Sequence, residues 1–284
     1  MKHKRLLPCM GILFMILLCV SFMKLFPYFA EREQQEHAFQ QLEQIAVERE
    51  DDADHGKKNE KAAEEWKETS GTEMDPLEES RLRYQALHEK NPDYWGWIRI
   101  EGTRLNYPIM HTPEDSEYYI HRDFEGNSSS RGVPFLDGSC VDDCGNYIIY
   151  GHHMKDGTMF TTLMSYADQG FYREHKDIQV ETEHGQSIYL VIAAFYSRAY
   201  AQDETGVFRY YQYLSLKDQN TFEEYVEQVK RAAIYDTGVA VTYGDQLLTL
   251  STCDYSTENG RFVVVAKKIA DRAYEMPLSE ESSP

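Results

Sequence analysis

Basic residues are in short supply in this 284-residue chain. Twenty-nine Lys and Arg face 48 Asp and Glu, a formal net charge of −19. Phosphate backbones are bound through basic surfaces, so this composition excludes a nucleic-acid binder. Cysteine is scarce as well, with five residues, an odd number. Cys9 and Cys19 fall in an apolar N-terminal stretch, Cys140 and Cys144 lie close together in a polar loop, and Cys253 stands alone after an apolar run. A disulfide-built scaffold is therefore ruled out. Internal repeats are absent. What the chain does have is a hydrophobic fraction of 42%, enough for a real core, and 21 tyrosines, which lean toward strands.

The acidic excess is uneven. Residues 31–90 hold 18 Asp and Glu against nine Lys and Arg, about half of the total imbalance. Such a charge run reads as a solvated face or linker. Ahead of it, MKHKR is followed by Leu6 to Met23, 18 residues without a charge. As a helix this run would span about 27 Å, close to a bilayer core. Phe26, Tyr28 and Phe29 suit a membrane interface, and PYFAERE makes a poor signal-peptidase site. The expectation is a single-pass anchor over 6–29, with 1–5 as a cytoplasmic flank and the remainder outside. An acidic stalk over 30–77 would follow, then a folded domain over 78–271 and a polar tail over 272–284.

Spacing predicts a polar helix over 31–50 and another over 78–90, stopped by Asn91-Pro92. From Trp95 the pattern becomes strand and turn. Short strands are expected at 95–100, 106–110, 117–120, 132–136, 146–150, 178–183, 187–196, 246–252 and 261–269, with helices at 159–166 and 221–233. Many short strands and few helices indicate a closed barrel or a sandwich.

Three local signals carry chemistry. Cys253 ends Thr249-Leu-Ser-Thr-Cys. On spacing alone a buried structural thiol is the default, because a reactive cysteine needs a base or cation nearby. His152 follows Tyr150-Gly151 at the end of a strand, a rim position where function concentrates. Asn259-Gly260 turns the chain into Arg261 and would pair the strands bearing Cys253 and Arg261. Nucleophile, acid/base and oxyanion stabiliser are the parts that acyl transfer requires.

TLSTCDYSTENGRFVVVAKKI resembles the active-site strands of sortases, whose signature is TLxTC followed by an Arg on the next strand. NYIIYGHHMKDGTMFTTL is similar to the class B histidine segment. NPDYWGWIRIEGTRLNYPIMHTPEDSEYYIHRDFEG and GVPFLD resemble that class's opening strands, and the helix near 221–233 matches its extra helix. The resemblance implies an all-β-dominated fold. It would be an eight-stranded sortase β-barrel with an N-terminal helix and a further helix before the last two strands. It assigns Cys253 as nucleophile, His152 as acid/base and Arg261 as oxyanion stabiliser. Ser251, Thr252, Ile120, Ser116 and Asp254 would contact substrate. Ser116 stands where class B members often have Asn, Asp254 where some have Glu, and His153 departs from the usual residue. The implied substrate is a surface protein with a C-terminal sorting signal, NPxTN-like or (S/N/P)PxTG-like. It would be cleaved after Thr through a thioester and passed to a peptidoglycan-precursor or pilin amine. No metal or cofactor is called for.

Two other functions compete with this one, the first on the same residues. Water in place of the amine would make a thiol hydrolase. Cys140, Cys144 and His152 or His153 could instead supply zinc ligands in a surface module. A third reading, a structural surface protein, would suit a chain with its own sorting signal. The polar ending AYEMPLSEESSP lacks the apolar tail such a signal carries.

Overall fold

The computed structural model describes residues 6–53, 75–140 and 144–274, and within the first helix the side chains of 14–23, 26 and 30–45. The chain divides into two compact units, Met1–Gln44 and Ile45–Pro284. Helix α1, Leu6–Ala53, begins in the first unit and carries an Arg32–Glu36 pair one turn apart.

The expected membrane anchor over 6–29 is not supported. Among the described residues no helix is long and apolar enough to cross a membrane. The 1–5 flank, residues 54–74 of the expected stalk and the tail beyond 274 lie outside the described residues.

In the second unit, α2 (Pro76–Lys90) starts where Asp75 accepts a hydrogen bond from Leu77 N, with Pro76 in the first turn. Eight strands follow: β1 (Tyr94–Arg99), β2 (Asn106–Met110), β3 (Phe135–Leu136), β4 (Asn146–Tyr150), β5 (Asp177–Thr182), β6 (Gly185–Arg198), β7 (Leu247–Asp254) and β8 (Gly260–Ala273). They close into a barrel in the order β1-β2-β3-β4-β7-β8-β6-β5. The expected all-β barrel is thus present. Closure leaves no sheet edge, and the strands bury apolar runs such as Phe262–Ala266. Helix α3 (Gln169–Glu174) precedes β5. Helix α4 (Gln219–Ala232), capped by Asp218, is the predicted helix before the last two strands. Its Phe222, Tyr225, Val226 and Val229 recur at helical spacing and pack on Phe195, Leu247, Val263 and Val265. Each such side chain contributes roughly 1.5–3 kcal/mol of burial.

Two pairings position everything else. β4 runs parallel to β7, with Tyr150 opposite Ser251, so both strands end on the same side of the barrel. β7 runs antiparallel to β8, with Cys253 opposite Arg261.

Local expectations differ in three places. Residues 117–120 are not a strand: Tyr118–His121 forms a 3₁₀ turn, held by Tyr118 N–H to Asp115 O and Ile120 N–H to Glu117 O. Of 132–136 only Phe135–Leu136 is strand, because Pro134 has no N–H to donate and Gly132 has φ +60°. The helix expected at 159–166 is a 3₁₀ segment, Phe160–Ala167.

Candidate active site

Gly151 and His152 leave the end of β4 beside Thr252 and Cys253 of β7. Gly151 N–H donates to Ser251 O at 3.1 Å, and Thr252 Oγ1 donates to Gly151 O at 2.8 Å. The first bond continues the parallel ladder one residue past the strand, and the second ties its end through a side chain. Only glycine fits at 151, since a Cβ there would lie 2.6 Å from Cγ of the buried Phe160 ring. Phe160 N–H in turn donates to His152 O at 2.9 Å. The tight strand end therefore sets the path of the histidine's backbone.

The imidazole is held from the other side of the cleft. His152 Nε2 lies 2.7 Å from Ile120 O on the 3₁₀ turn. A carbonyl only accepts, so Nε2 carries the proton and Nδ1 is the basic nitrogen of the neutral ring. His121 stacks on His152 with ring centroids 5.5 Å apart. Burial lowers the His152 pKa from its ordinary value; the Ile120 hydrogen bond opposes this, and the His121 ring adds to it.

Cys253 is half-buried and is the cross-strand partner of Arg261. Directly opposed residues on an antiparallel pair have Cβ atoms about 5 Å apart, so thiol and guanidinium share one patch. Arg261 Nη1 donates to the Asn259 and Gly260 carbonyls at 3.3 and 3.0 Å, which folds the guanidinium against its own loop. That loop, 255–259, is longer than a two-residue turn. Asn259 takes φ +55°, and a Cβ at Gly260 would meet Asp254 O at 2.4 Å. The Asn-Gly pair is needed here to bring β8 back against the end of β7.

A cleft of about 270 Å³ joins these groups. Cys253, His152 and Arg261 all line it, together with Ser251, Thr252, Ile120 and Ser116. Asp254, the remaining expected substrate contact, is not in the lining. It is buried and accepts from Ser256 N–H and Ser256 Oγ, capping the loop instead. Lining residues that sequence reasoning missed include Tyr210, Tyr211, Tyr150, Glu117 and Asp137. Tyr210 comes from the β6–α4 connection, and its hydroxyl sits 2.7 Å from Ser251 Oγ. Burial pushes its pKa up to about 12, against the pull of Ser251 and Arg261. No local pattern marks it, because its partner is 41 residues away.

His153 turns away from His152. Its Nδ1 is 2.9 Å from Cys253 O, its ring packs on Tyr255, and Tyr255 OH donates to His153 O at 2.9 Å. The zinc reading finds no geometry: among the described residues, no group of three or more His, Cys, Asp or Glu could hold a metal.

Residues 98–269 match the Sortase domain family, more than half of the chain. Sortase B of Staphylococcus aureus (strain NCTC 8325 / PS 47) is 33% identical over 196 residues, covering 68% of this chain and 77% of that protein. The chain belongs to the class B sortases. As a sortase it is a cysteine transpeptidase, of a family associated with Gram-positive surfaces. Solved structures agree. A Staphylococcus aureus sortase B–substrate complex is 27% identical with a TM-score of 0.62, over 84% of this chain and 96% of that one. A sortase B complexed with triglycine is 28% identical with a TM-score of 0.63, over 84% of this chain and 97% of that one.

Proposed function

We propose that this sortase cleaves a sorting-signal pentapeptide after Thr and transfers the upstream protein to an amine of the cell wall or of a pilin. Cys253 is the nucleophile, Arg261 the oxyanion stabiliser and His152 the acid/base. The observation that carries this reading is the cross-strand pairing of Cys253 with Arg261 in the cleft that His152 also lines.

The Cys253 thiolate attacks the Thr carbonyl, and the C–N bond of the tetrahedral adduct breaks to leave a thioester. The Arg261 guanidinium offers planar, permanently charged donors to the developing oxyanion. His152 protonates the departing amine. Its lowered pKa makes the imidazolium a readier proton donor, and the neutral ring is then the base for the incoming amine. Ile120, Ser116, Ser251 and Thr252 line the groove that receives the signal. The substrate and triglycine complexes of the related sortases support a peptide donor and an amine acceptor. The donor is NPxTN-like or (S/N/P)PxTG-like. The catalytic domain is assigned to 78–271, with β8 carrying it to Ala273.

The test incubates the protein with NPxTN, SPxTG and LPxTG peptides and looks by intact mass for a thioester adduct. An adduct in wild type but not in Cys253→Ala supports the assignment. No adduct with any peptide, or an adduct that survives Cys253→Ala, removes it. A second arm adds triglycine: appearance of the ligated product rather than the acid separates transpeptidation from hydrolysis.

A further inference from the structure

Cys140 and Cys144 take no part in the chemistry above, yet they are set in a specific arrangement. Both are nearly inaccessible, at 1% and 3% exposure. Their sulfurs are 3.1 Å apart, inside the van der Waals contact distance of two sulfur atoms. Both sulfurs also approach one acceptor, Asn146 O, at 3.4 and 3.2 Å. Asn146 is the first residue of β4. Its side chain donates to Tyr213 O and accepts from Thr249 Oγ1 of β7, so the cysteines pack on the junction that sets β4 against β7. Upstream, Cys140 N–H donates to Asp137 O, and Asp137 lines the catalytic cleft. The pair thus closes the connection between a cleft residue and the strand that delivers His152.

We propose that Cys140 and Cys144 are a disulfide site, oxidised as the exported protein folds. The two thiols are close enough that a small rotation of the side chains joins them, whereas two unrelated buried thiols have no reason to meet. The surface association of the family places the domain where disulfides persist. The oxidant is a disulfide, protein-borne or small. One cysteine thiolate attacks it to form a mixed disulfide and expel a thiolate. The second cysteine then displaces the remaining thiolate, leaving Cys140–Cys144 bonded and the oxidant reduced to two thiols. The hydrogen bond with Cys144, and then burial, push the Cys140 thiol well above its ordinary titration range. Exchange in the folded protein is therefore slow in both directions, so the bond forms before the two cysteines are buried and resists reduction afterwards.

Both cysteines fall in one tryptic peptide, 132–155, which makes the test direct. The full chain is prepared by export into an oxidising medium, denatured in N-ethylmaleimide without reductant, and digested. The expected peptide carries no label, is lighter by two hydrogens than the dithiol, and takes two labels after reduction. Two labels without prior reduction overturn the proposal. In parallel, reductant with denaturation and refolding should lower the wild-type Tm by roughly 4–8 °C and leave a Cys140→Ser/Cys144→Ser variant unchanged. An equal shift in both proteins also overturns it.

Discussion

Replacing Asp156 by Asn removes the carboxylate from a buried ion pair that ties the two loops flanking the cleft. Arg131 follows the 3₁₀ turn that carries Ile120, and Asp156 follows His152 by four residues. Arg131 Nη2 lies 2.6 Å from Asp156 Oδ2, with the side chains 2% and 9% exposed. Thr158 Oγ1 accepts from Arg131 Nη1 at 2.8 Å and donates to Asp156 Oδ1 at 2.7 Å. Removing one member of a buried pair costs about 3–5 kcal/mol, because the other charge stays desolvated. Asn can still accept from Thr158, so about 3 kcal/mol is expected, a Tm fall of roughly 6–12 °C for a domain of this size. Burial by itself would raise the Asp156 carboxyl; hydrogen bonds from Arg131 and Thr158 outweigh it and hold the group well below the usual carboxylate range. Its stabilisation is therefore complete above the unfolded value of about 3.9 and is lost as pH falls toward the folded value. The gap between wild type and Asp156→Asn should narrow by about 1.4 kcal/mol for each pH unit below about 3.9. Urea unfolding at pH 7, 4 and 2.5 reads this out. A gap under about 1 kcal/mol at pH 7, or one that stays constant from pH 4 to 2.5, would refute the reasoning. Arg131→Met/Asp156→Leu should regain part of the loss, since apolar replacements of buried pairs are often tolerated.

Arg261→Lys keeps the charge but loses the planar fork, and should slow thioester formation by about 10²–10³-fold with an unchanged Tm; a wild-type rate would remove Arg261 from the mechanism. Gly151→Ala forces the Phe160 ring aside, costs about 1–3 kcal/mol and displaces His152, so stability and acylation should fall together; thermal melts and adduct formation check both. The lowered His152 pKa means that the folded state holds fewer protons there than the unfolded state. That contribution is complete above about 6.5 and is lost as pH falls through the folded value, so wild type should lose more stability than His152→Gln between pH 7.5 and 5.5. Equal losses in chemical unfolding would show that His152 is not the group responsible.

The barrel strands were readable where a run of apolar or alternating residues sat between clear turn residues. Asn106–Met110 and Asn146–Tyr150 are such cases, and α4 shows its four buried positions at helical spacing. Reading failed where the apolar residues serve something other than a ladder. Tyr118-Tyr119-Ile120 has strand-like composition, but Tyr119 is buried with its hydroxyl donating to Asp93, while Ile120 turns toward the cleft. An 18-residue uncharged run suggested a membrane span, yet among the described residues no helix is long and apolar enough to cross a membrane. Asp254 follows the nucleophile in sequence, yet it bonds its own loop.

The side chains of the candidate site were therefore legible in the chain: a thiol after Thr249-Leu-Ser-Thr, an imidazole after Gly151 and a guanidinium after Asn259-Gly260 are local patterns with local physical reasons. Their meeting was not. It depends on β4 pairing parallel to β7 over about a hundred residues of separation, on the Ile120 carbonyl choosing the tautomer of His152, and on Tyr210 arriving at Ser251 from the far connection. Hydrogen bonds and packing between segments distant in sequence leave no periodicity in either segment, so only the closed barrel determines which of the chain's polar groups share one cleft.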